Sequence, residues 1–381
     1  MNIAKSSADT VRMGILVDVP NFGSSLEGVI LPTFELAIDE YRAAGIIDRP
    51  IEIVVRVVHG LSNGSFRNVR DAFHELVEEG CLIIYGPMIT ENGTPLAPYV
   101  EKLAEVPIVS MAGTERMLGD WVFQLNNGSM ADESQIIASV MAMDGHRRIA
   151  LSMDATRSSG GVTNMRNMLG QEYLQYARLA AQDVGLEIIA EVPIPIDEEK
   201  RVETLRDLAS RKPDAIYHLG LGQGMLNMNP ALEQVGWMPP RYTQTSFMAT
   251  ASPEVRQKLA GWIGLEQYDE RNPTGQAFLD RFEARYGHRP QNYVSVYAYD
   301  MARVMLRGIA GAQPLTGYGV RDALERIKMM PAACGAPGTR IKFGRQMRQG
   351  WVGAEYLVAR RVLPDGSRTV LHATIEGPVG N

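Results

Sequence analysis

The stretch from Cys81 to Arg116, CLIIYGPMITENGTPLAPYVEKLAEVPIVSMAGTER, narrows most sharply what this chain can fold into. It reads as strand, turn, helix, strand and turn, a complete βαβ unit. Cys81 to Tyr85 is a short, uniformly apolar run, as expected of a strand covered on both faces of a parallel sheet. It ends in Gly86-Pro87, and Asn92 or Thr94 is expected to cap the following helix, with Pro95 near its first turn. Free amides there suit a small anion or carbonyl oxygen. The second strand, Val106 to Ser110, runs into Met111-Ala112-Gly113-Thr114. Both strands therefore finish in small residues and hydroxyls, and neighbouring strand ends of an open parallel sheet form the crevice where ligands sit.

The flanking sequence repeats the alternation. Val11 to Val17 is read as strand one, followed by the loop Asp18 to Ser25 and a helix carrying Leu31, Phe34, Leu36, Ala37 and Ile38. Ile51 to Val58 is a second strand, and Asn63-Gly64-Ser65 opens a helix that stops at Gly80. A second alternating series starts at the strand Arg148 to Met153 and continues through Leu186 to Val192, Ala215 to Leu219 and Tyr242 to Phe247. The end of the chain suggests a hairpin, Trp351 to Leu363 with Thr369 to Ile375, turned at Pro364-Asp365-Gly366-Ser367. The fold class is α/β with two doubly wound halves. A length of 381 residues suits two domains better than one core.

Composition excludes several functions. A net charge of -6, spread along the chain, gives no attraction to nucleic acid or to an anionic membrane. No run approaches the ~20 apolar residues needed to span a bilayer. Cys81 opens an apolar strand and reads as a buried free thiol rather than half of a disulfide with Cys334. Gly220-Leu221-Gly222-Gln223-Gly224 lacks the sixth-position glycine of a dinucleotide loop and the acidic residue that holds a ribose. Neither a phosphate-loop lysine nor a nucleophile elbow is present. The six histidines stand apart from any second metal-type ligand, with His218 alone at a strand end. No catalytic residue, metal or cofactor is therefore expected.

Taken together, the strand ending Tyr85-Gly86 with its hydroxyl-bearing turn, the strand ending Ser110 to Thr114, the segment Ala37 to Ile46, the run Val294 to Ala302 and the closing Gly335 to Gly344 resemble the type I periplasmic solute-binding proteins of the branched-chain amino acid group. The resemblance covers roughly Val11 to Ile375. It implies two Rossmann-like lobes joined by three hinge crossings, near Asn126 to Met130, Gly261 to Tyr268 and Gly335 to Lys342. Lobe I is then 11–128 plus 265–337 and lobe II is 129–264 plus 338–381, with a ligand cleft between them. In that family a hydroxyl after the fourth strand and an alanine and threonine after the next hold the ligand carboxylate. Thr90, Ala112 and Thr114 match these places, with Gly113 between the last two and Met88 as an adaptable apolar neighbour. Phe22 falls near the family's first-loop aromatic. In the second lobe the set includes Ser158, while Leu221 replaces a tyrosine and Ser246 replaces the acidic residue that holds an amino group.

The resemblance implies a solute-binding receptor of an ABC-type importer, non-enzymatic, with a small-molecule ligand and an ABC permease as partners and no nucleic acid or membrane insertion. The departures at Leu221 and Ser246 point to a neutral or monocarboxylate ligand with an apolar body. The alternative is a cytoplasmic ligand sensor similar to the amide-sensing regulator of aliphatic amidase, with a cytoplasmic regulatory partner. MNIAKSSADTVR is not a secretory signal as written. The expected location is periplasmic if a signal was removed or omitted, and cytoplasmic if the chain is complete as given.

Overall fold

A computed structural model of the chain describes residues 10–18, 26–61, 64–103, 105–114, 116–154, 165–220, 223–245, 252–290, 292, 294–353, 355–374 and 377–378. The chain divides into two compact units, Met1–Asn127 with Glu270–Tyr356 and Gly128–Asp269 with Leu357–Asn381.

The first unit is built on a five-stranded, wholly parallel sheet. Its strands are β1 (Val11–Val17), β2 (Ile51–Val57), β3 (Cys81–Tyr85), β4 (Ile108–Ser110) and β5 (Val122–Gln124), in the order β2-β1-β3-β4-β5. Met13, Ile15, Leu16, Ile83 and Ile84 are fully buried, as central strands covered on both faces require. Helices Leu31–Ala43, Phe66–Glu78 and Thr90–Leu103 carry the crossovers. The helix Val294–Gly311 is apolar around most of its surface and correspondingly buried. Its Asp300, fully buried, accepts hydrogen bonds from the Ala333 and Cys334 amides and pairs with Arg303, fastening the segment after Pro331 to the unit.

That fastening matters for where the chain changes unit. Sequence reading places the third change near 337, whereas the compact units change at Tyr356. Between these points lie β12 (Arg340–Ile341) and β13 (Trp351–Val352), which form a small antiparallel sheet with β11 (Met330–Pro331). Backbone bonds from Gln124 N–H to Arg348 O and from Gly350 N–H to Gln124 O lay this segment alongside β5, and Phe343 packs edge-on to Phe123 at 5.2 Å.

The second unit holds an eight-stranded sheet. The parallel part is β6 (Arg148–Asp154), β7 (Glu187–Ile194), β8 (Ala215–Leu219), β9 (Arg241–Thr243) and β10 (Trp262–Glu266). Onto β10 the antiparallel strands β14 (Val358–Val362), β15 (Thr369–Thr374) and β16 (Gly377–Pro378) are added, giving the order β16-β15-β14-β10-β9-β8-β6-β7. The hairpin is therefore β14 and β15, while Trp351 belongs to the other unit. Its turn is set by Asp365, whose carboxylate accepts the Ser367 N–H, and by Gly366 at φ 67°. Trp262 anchors the core on one side of the sheet and donates its indole N–H to Asn229 at 2.9 Å.

Candidate functional site

In the first unit the carboxyl ends of β1, β3 and β4 lie side by side, because β3 pairs with β1 on one edge and β4 on the other. The chain leaves β3 through Gly86, at φ 113°, where an added Cβ would meet the Leu16 carbonyl oxygen. A side chain is excluded there on both conformational and steric grounds. The turn 87–89 then passes over the end of β1, where Asp18 is 1% exposed. One carboxylate oxygen of Asp18 accepts the Met88 N–H at 2.8 Å, and the other accepts Asn92 Nδ2 at 2.8 Å and the Ile89 N–H at 3.4 Å. Burial pushes the Asp18 carboxyl above the usual carboxylate range, and these donors offset part of that.

Asn92 is thus not the helix cap that the sequence suggests. The helix starts earlier, at Thr90, and takes Pro95 and Pro98 inside it. The Asn92 side chain turns inward, where it also accepts the Leu61 N–H at 3.0 Å and donates to the Leu61 carbonyl. A capping position would have left Asp18 buried with fewer donors, which costs more than a missing cap.

The turn after β4 is fixed by Ser110 and Gln124, both fully buried. Ser110 Oγ donates to the Pro87 carbonyl at 2.7 Å and accepts the Ala112 N–H at 3.1 Å, which ties the two strand-end turns together. Gln124 Nε2 donates to both the Ala112 and Thr114 carbonyls, at 3.2 and 2.9 Å. Thr114 Oγ1 accepts the Arg116 N–H at 3.1 Å, so the hydroxyl proton remains to be donated elsewhere.

The structure brings together Met88, Thr90, Ala112, Gly113 and Thr114 at these adjoining strand ends. Met88, Ala112 and Thr114 are buried, and Thr90 and Gly113 are half-buried. Phe22, Ser158, Leu221 and Ser246 lie outside the described residues. Sequence reasoning missed Asp18, Asn92, Ser110 and Gln124 as organisers. The signal was a polar residue at the last position of an apolar strand, or just past it, at Asp18, Ser110 and Gln124.

The second unit has its own cluster at the ends of β6 and β8. Ser152 and His218 are register partners, with Oγ 3.0 Å from Nδ1. The other ring nitrogen of His218 lies 3.6 Å from Asp154 Oδ1, and that oxygen accepts the Gly224 N–H at 2.8 Å. A Cβ on Gly220 would stand 2.7 Å from Asp154 Oδ2, and one on Gly224 would strike Oδ1. Gly220 and Gly224, which superficially suggest a dinucleotide loop, are therefore there to admit the Asp154 carboxylate. Ser152 and His218 are fully buried and support Asp154, whose side chain is 30% exposed.

Farther along the same unit, Glu133 is fully buried at the start of helix Met130–Met143. It accepts hydroxyl protons from Thr245 at 2.6 Å and Tyr173 at 2.8 Å, and a Cβ on Gly128 would collide with it. Burial pushes this carboxyl up to about 7. Among the described residues no cluster of three or more His, Cys, Asp or Glu is placed to hold a metal ion, and no helix is long and apolar enough to cross a membrane.

Two α/β units crossed three times by the chain, with small residues and hydroxyls at the strand ends, define the class of ligand-binding proteins with the type I periplasmic-binding fold. The sequence model for periplasmic binding proteins matches residues 10–355, and the chain belongs to that family. No curated protein matches the sequence. Among solved structures, an ABC transporter substrate-binding protein from Desulfitobacterium hafniense in complex with Leu is similar at TM-score 0.76 and 14% identity, covering 95% of this chain and 100% of that one. A periplasmic binding protein type 1 from Bordetella pertussis Tohama I matches at TM-score 0.76 and 17% identity, with 97% and 100% covered. A solute-binding protein of an ABC transporter from R. palustris in complex with benzoate matches at TM-score 0.72 and 16% identity, with 98% of each chain covered.

Proposed function

We propose that this chain is the solute-binding receptor of an ABC-type importer and takes a small neutral or monocarboxylate ligand with an apolar body. The observation that supports it is the convergence of Thr90, Gly113 and Thr114 on neighbouring strand ends in a chain of the periplasmic binding protein family. The Thr90 and Thr114 hydroxyls and the Gly113 N–H hold the carboxylate or carbonyl oxygen, Met88 and Ala112 form an apolar floor, and Phe22, Ser158, Leu221 and Ser246 complete the site. The two units, Met1–Asn127 with Glu270–Tyr356 and Gly128–Asp269 with Leu357–Asn381, serve as the lobes of the receptor, whose ligand-bound form is the one offered to a permease. Binding needs no bond-making step, and the protein acts as a receptor rather than an enzyme.

The sequence has no Asp or Glu between Gln234 and Pro253, where the family supplies a partner for an ammonium group. An unpartnered buried ammonium costs several kcal/mol, so ordinary α-amino acids bind poorly. The benzoate carried by the R. palustris protein is a ligand of the proposed kind on the same fold. A calorimetric screen of aromatic and aliphatic acids, their amides and amino acids tests this. Sub-micromolar binding of leucine, isoleucine or valine would refute the ligand class and direct attention to Asp154. Removing either hydroxyl, in Thr90→Ala or Thr114→Ala, is expected to cost about 1.5 to 3 kcal/mol of binding to a charged ligand with little change in Tm.

A further inference from the structure

The parallel sheet of the first unit ends at β2, and among the described residues this edge carries no proline, bulge or covering segment of the kind that usually blunts an open strand. The opposite edge, β5, is covered by the segment through Arg348 and Gly350. In the second unit β7 contains Pro193 and a break of register with β6, and β16 is two residues long. β2 instead runs for seven residues, IEIVVRV, in unbroken register with β1. Val11 N–H donates to Pro50 O and Val58 N–H donates to Val17 O, a phase that turns the backbone groups of Glu52, Val54 and Arg56 toward β1. Those of Ile51, Ile53, Val55 and Val57 therefore face outward. Among the described residues they receive a single hydrogen bond, from Arg56 Nη1 to Val55 O, and that carbonyl keeps a second lone pair. Ile51, Ile53 and Val55 are half-buried and Val57 is 47% exposed, so an apolar row borders the open edge.

We propose that β2 pairs antiparallel with β2 of a second copy of this chain, about a two-fold axis at Val54, so that the two five-stranded sheets become one. Read against its own reverse, the strand is self-complementary: Ile51 meets Val57, Glu52 meets Arg56, Ile53 meets Val55, and Val54 meets itself. Such a contact is isologous, with the same patch used by both copies. Hydrogen bonding and side-chain pairing select the same register. The outward groups belong to alternate residues, so Ile51 must pair with Val57 and Ile53 with Val55, each pair exchanging both of its main-chain bonds. Glu52 and Arg56 of the other copy then fall opposite each other in a non-hydrogen-bonded pair, where side chains stand closest and opposite charges attract. Moving the axis to Ile53 or to Val55 shortens the ladder and sets Glu52 or Arg56 against Val54. Within one copy Glu52 accepts from Arg12 at 2.8 Å and Arg56 donates to Glu75 at 2.7 Å, and the Glu52 and Arg56 side chains stay 49% and 28% exposed, so the new pairs extend these contacts rather than replace them. The pairing engages the side of the sheet, not the carboxyl ends of β1, β3 and β4, and it stands apart from the ligand reading above.

The test is sedimentation equilibrium of the full chain from about 1 to 100 μM, a range that covers modest affinities. A species of twice 42.0 kDa is expected. Val55→Pro removes an outward N–H while leaving the bonds to β1 in place, and is expected to raise the dissociation constant at least ten-fold. Glu52→Arg and Arg56→Glu each set like charges against one another across the axis, and each alone is expected to weaken association to a similar degree. Mixed in equal amounts, the two charge variants regain opposite charges at both pairs and are expected to return to the dimer. Loss of folding cannot produce that recovery, so the mixture decides the matter if Val55→Pro folds poorly. A chain that stays at 42.0 kDa throughout would overturn the proposal, as would an unrelated extended peptide or this chain's own terminus occupying the edge in its place. A dimer that all three variants leave unchanged, or charge variants that fail to recover on mixing, would overturn it too.

Discussion

Glu133 offers a perturbation whose size follows from its surroundings. The carboxyl is fully out of water, and burial raises it from an ordinary 4.5 to about 7 against the opposing pull of the Thr245 and Tyr173 hydroxyls. In the unfolded chain the group ionises near 4.5, so between 4.5 and 7 the folded state holds a proton that the unfolded state has released. Stability from this group is therefore complete below about 4.5 and is lost as pH rises through about 7. At 1.36 kcal/mol for each tenfold step in proton affinity, the gap of about 2.5 corresponds to about 3 kcal/mol. Glu133→Gln removes the titration while keeping a side chain that can meet both hydroxyls. The measurement is equilibrium unfolding of both proteins at pH 5 and pH 8, taking the difference of differences so that every other titrating group cancels. The glutamine variant is expected to gain about 2 to 3 kcal/mol on the unsubstituted protein between the two pH values, whatever its offset at pH 5. A difference that stays constant, or moves toward the glutamate, would refute the assignment of a buried, proton-holding carboxyl.

Three further substitutions probe the frame of the site. Gly86→Ala places a Cβ against the Leu16 carbonyl at φ 113° and is expected to cost about 2 kcal/mol or more in calorimetric unfolding, with weaker ligand binding alongside. Asn272→Ala deletes a side chain that donates to the Ala332, Cys334 and Gly335 carbonyls and accepts from Thr274 and Gly275 N–H, and a loss of about 3 kcal/mol is expected in urea unfolding. Trp262→Phe strands the buried Asn229 acceptor and leaves a void, for an expected loss of about 2 kcal/mol; an unchanged Tm would show that Asn229 finds another donor.

The regular elements were legible because their physics is local. The largely apolar stretch Val11–Val17 and the continuous apolar run Cys81–Tyr85, bounded by Gly, Pro and Asn, became β1 and β3 with the bounds expected. The hairpin turn at Pro364 to Ser367 was equally plain, since Asp and Gly each have a defined task there. What escaped was non-local. β4 is three residues long rather than five, and Trp351 pairs with Ile341 rather than extending the hairpin, because the buried Asp300 and the edge of β5 hold 330–356 to the first unit. Asn92 reads as a cap in isolation and becomes an inward donor only once Asp18, 74 positions away, needs one.

The same distinction explains why five of the proposed binding residues could be brought to one place from sequence while the residues that give the place its polarity could not. A strand's apolar interior states its own burial. A polar residue at its end, such as Ser110 or Gln124, carries no mark of whether it faces a ligand or the neighbouring turn. Gln124 faces the turn, where its Nε2 donates to both the Ala112 and Thr114 carbonyls and holds the backbone in place. Hydroxyls follow the same logic, because Thr114 becomes available as a donor through the Arg116 N–H that occupies its lone pair. The buried side chains behind such strand ends fix the backbone that a ligand would meet. Ser110→Ala and Gln124→Ala should accordingly lower Tm and ligand affinity together in calorimetry, because each side chain acts through the backbone it holds.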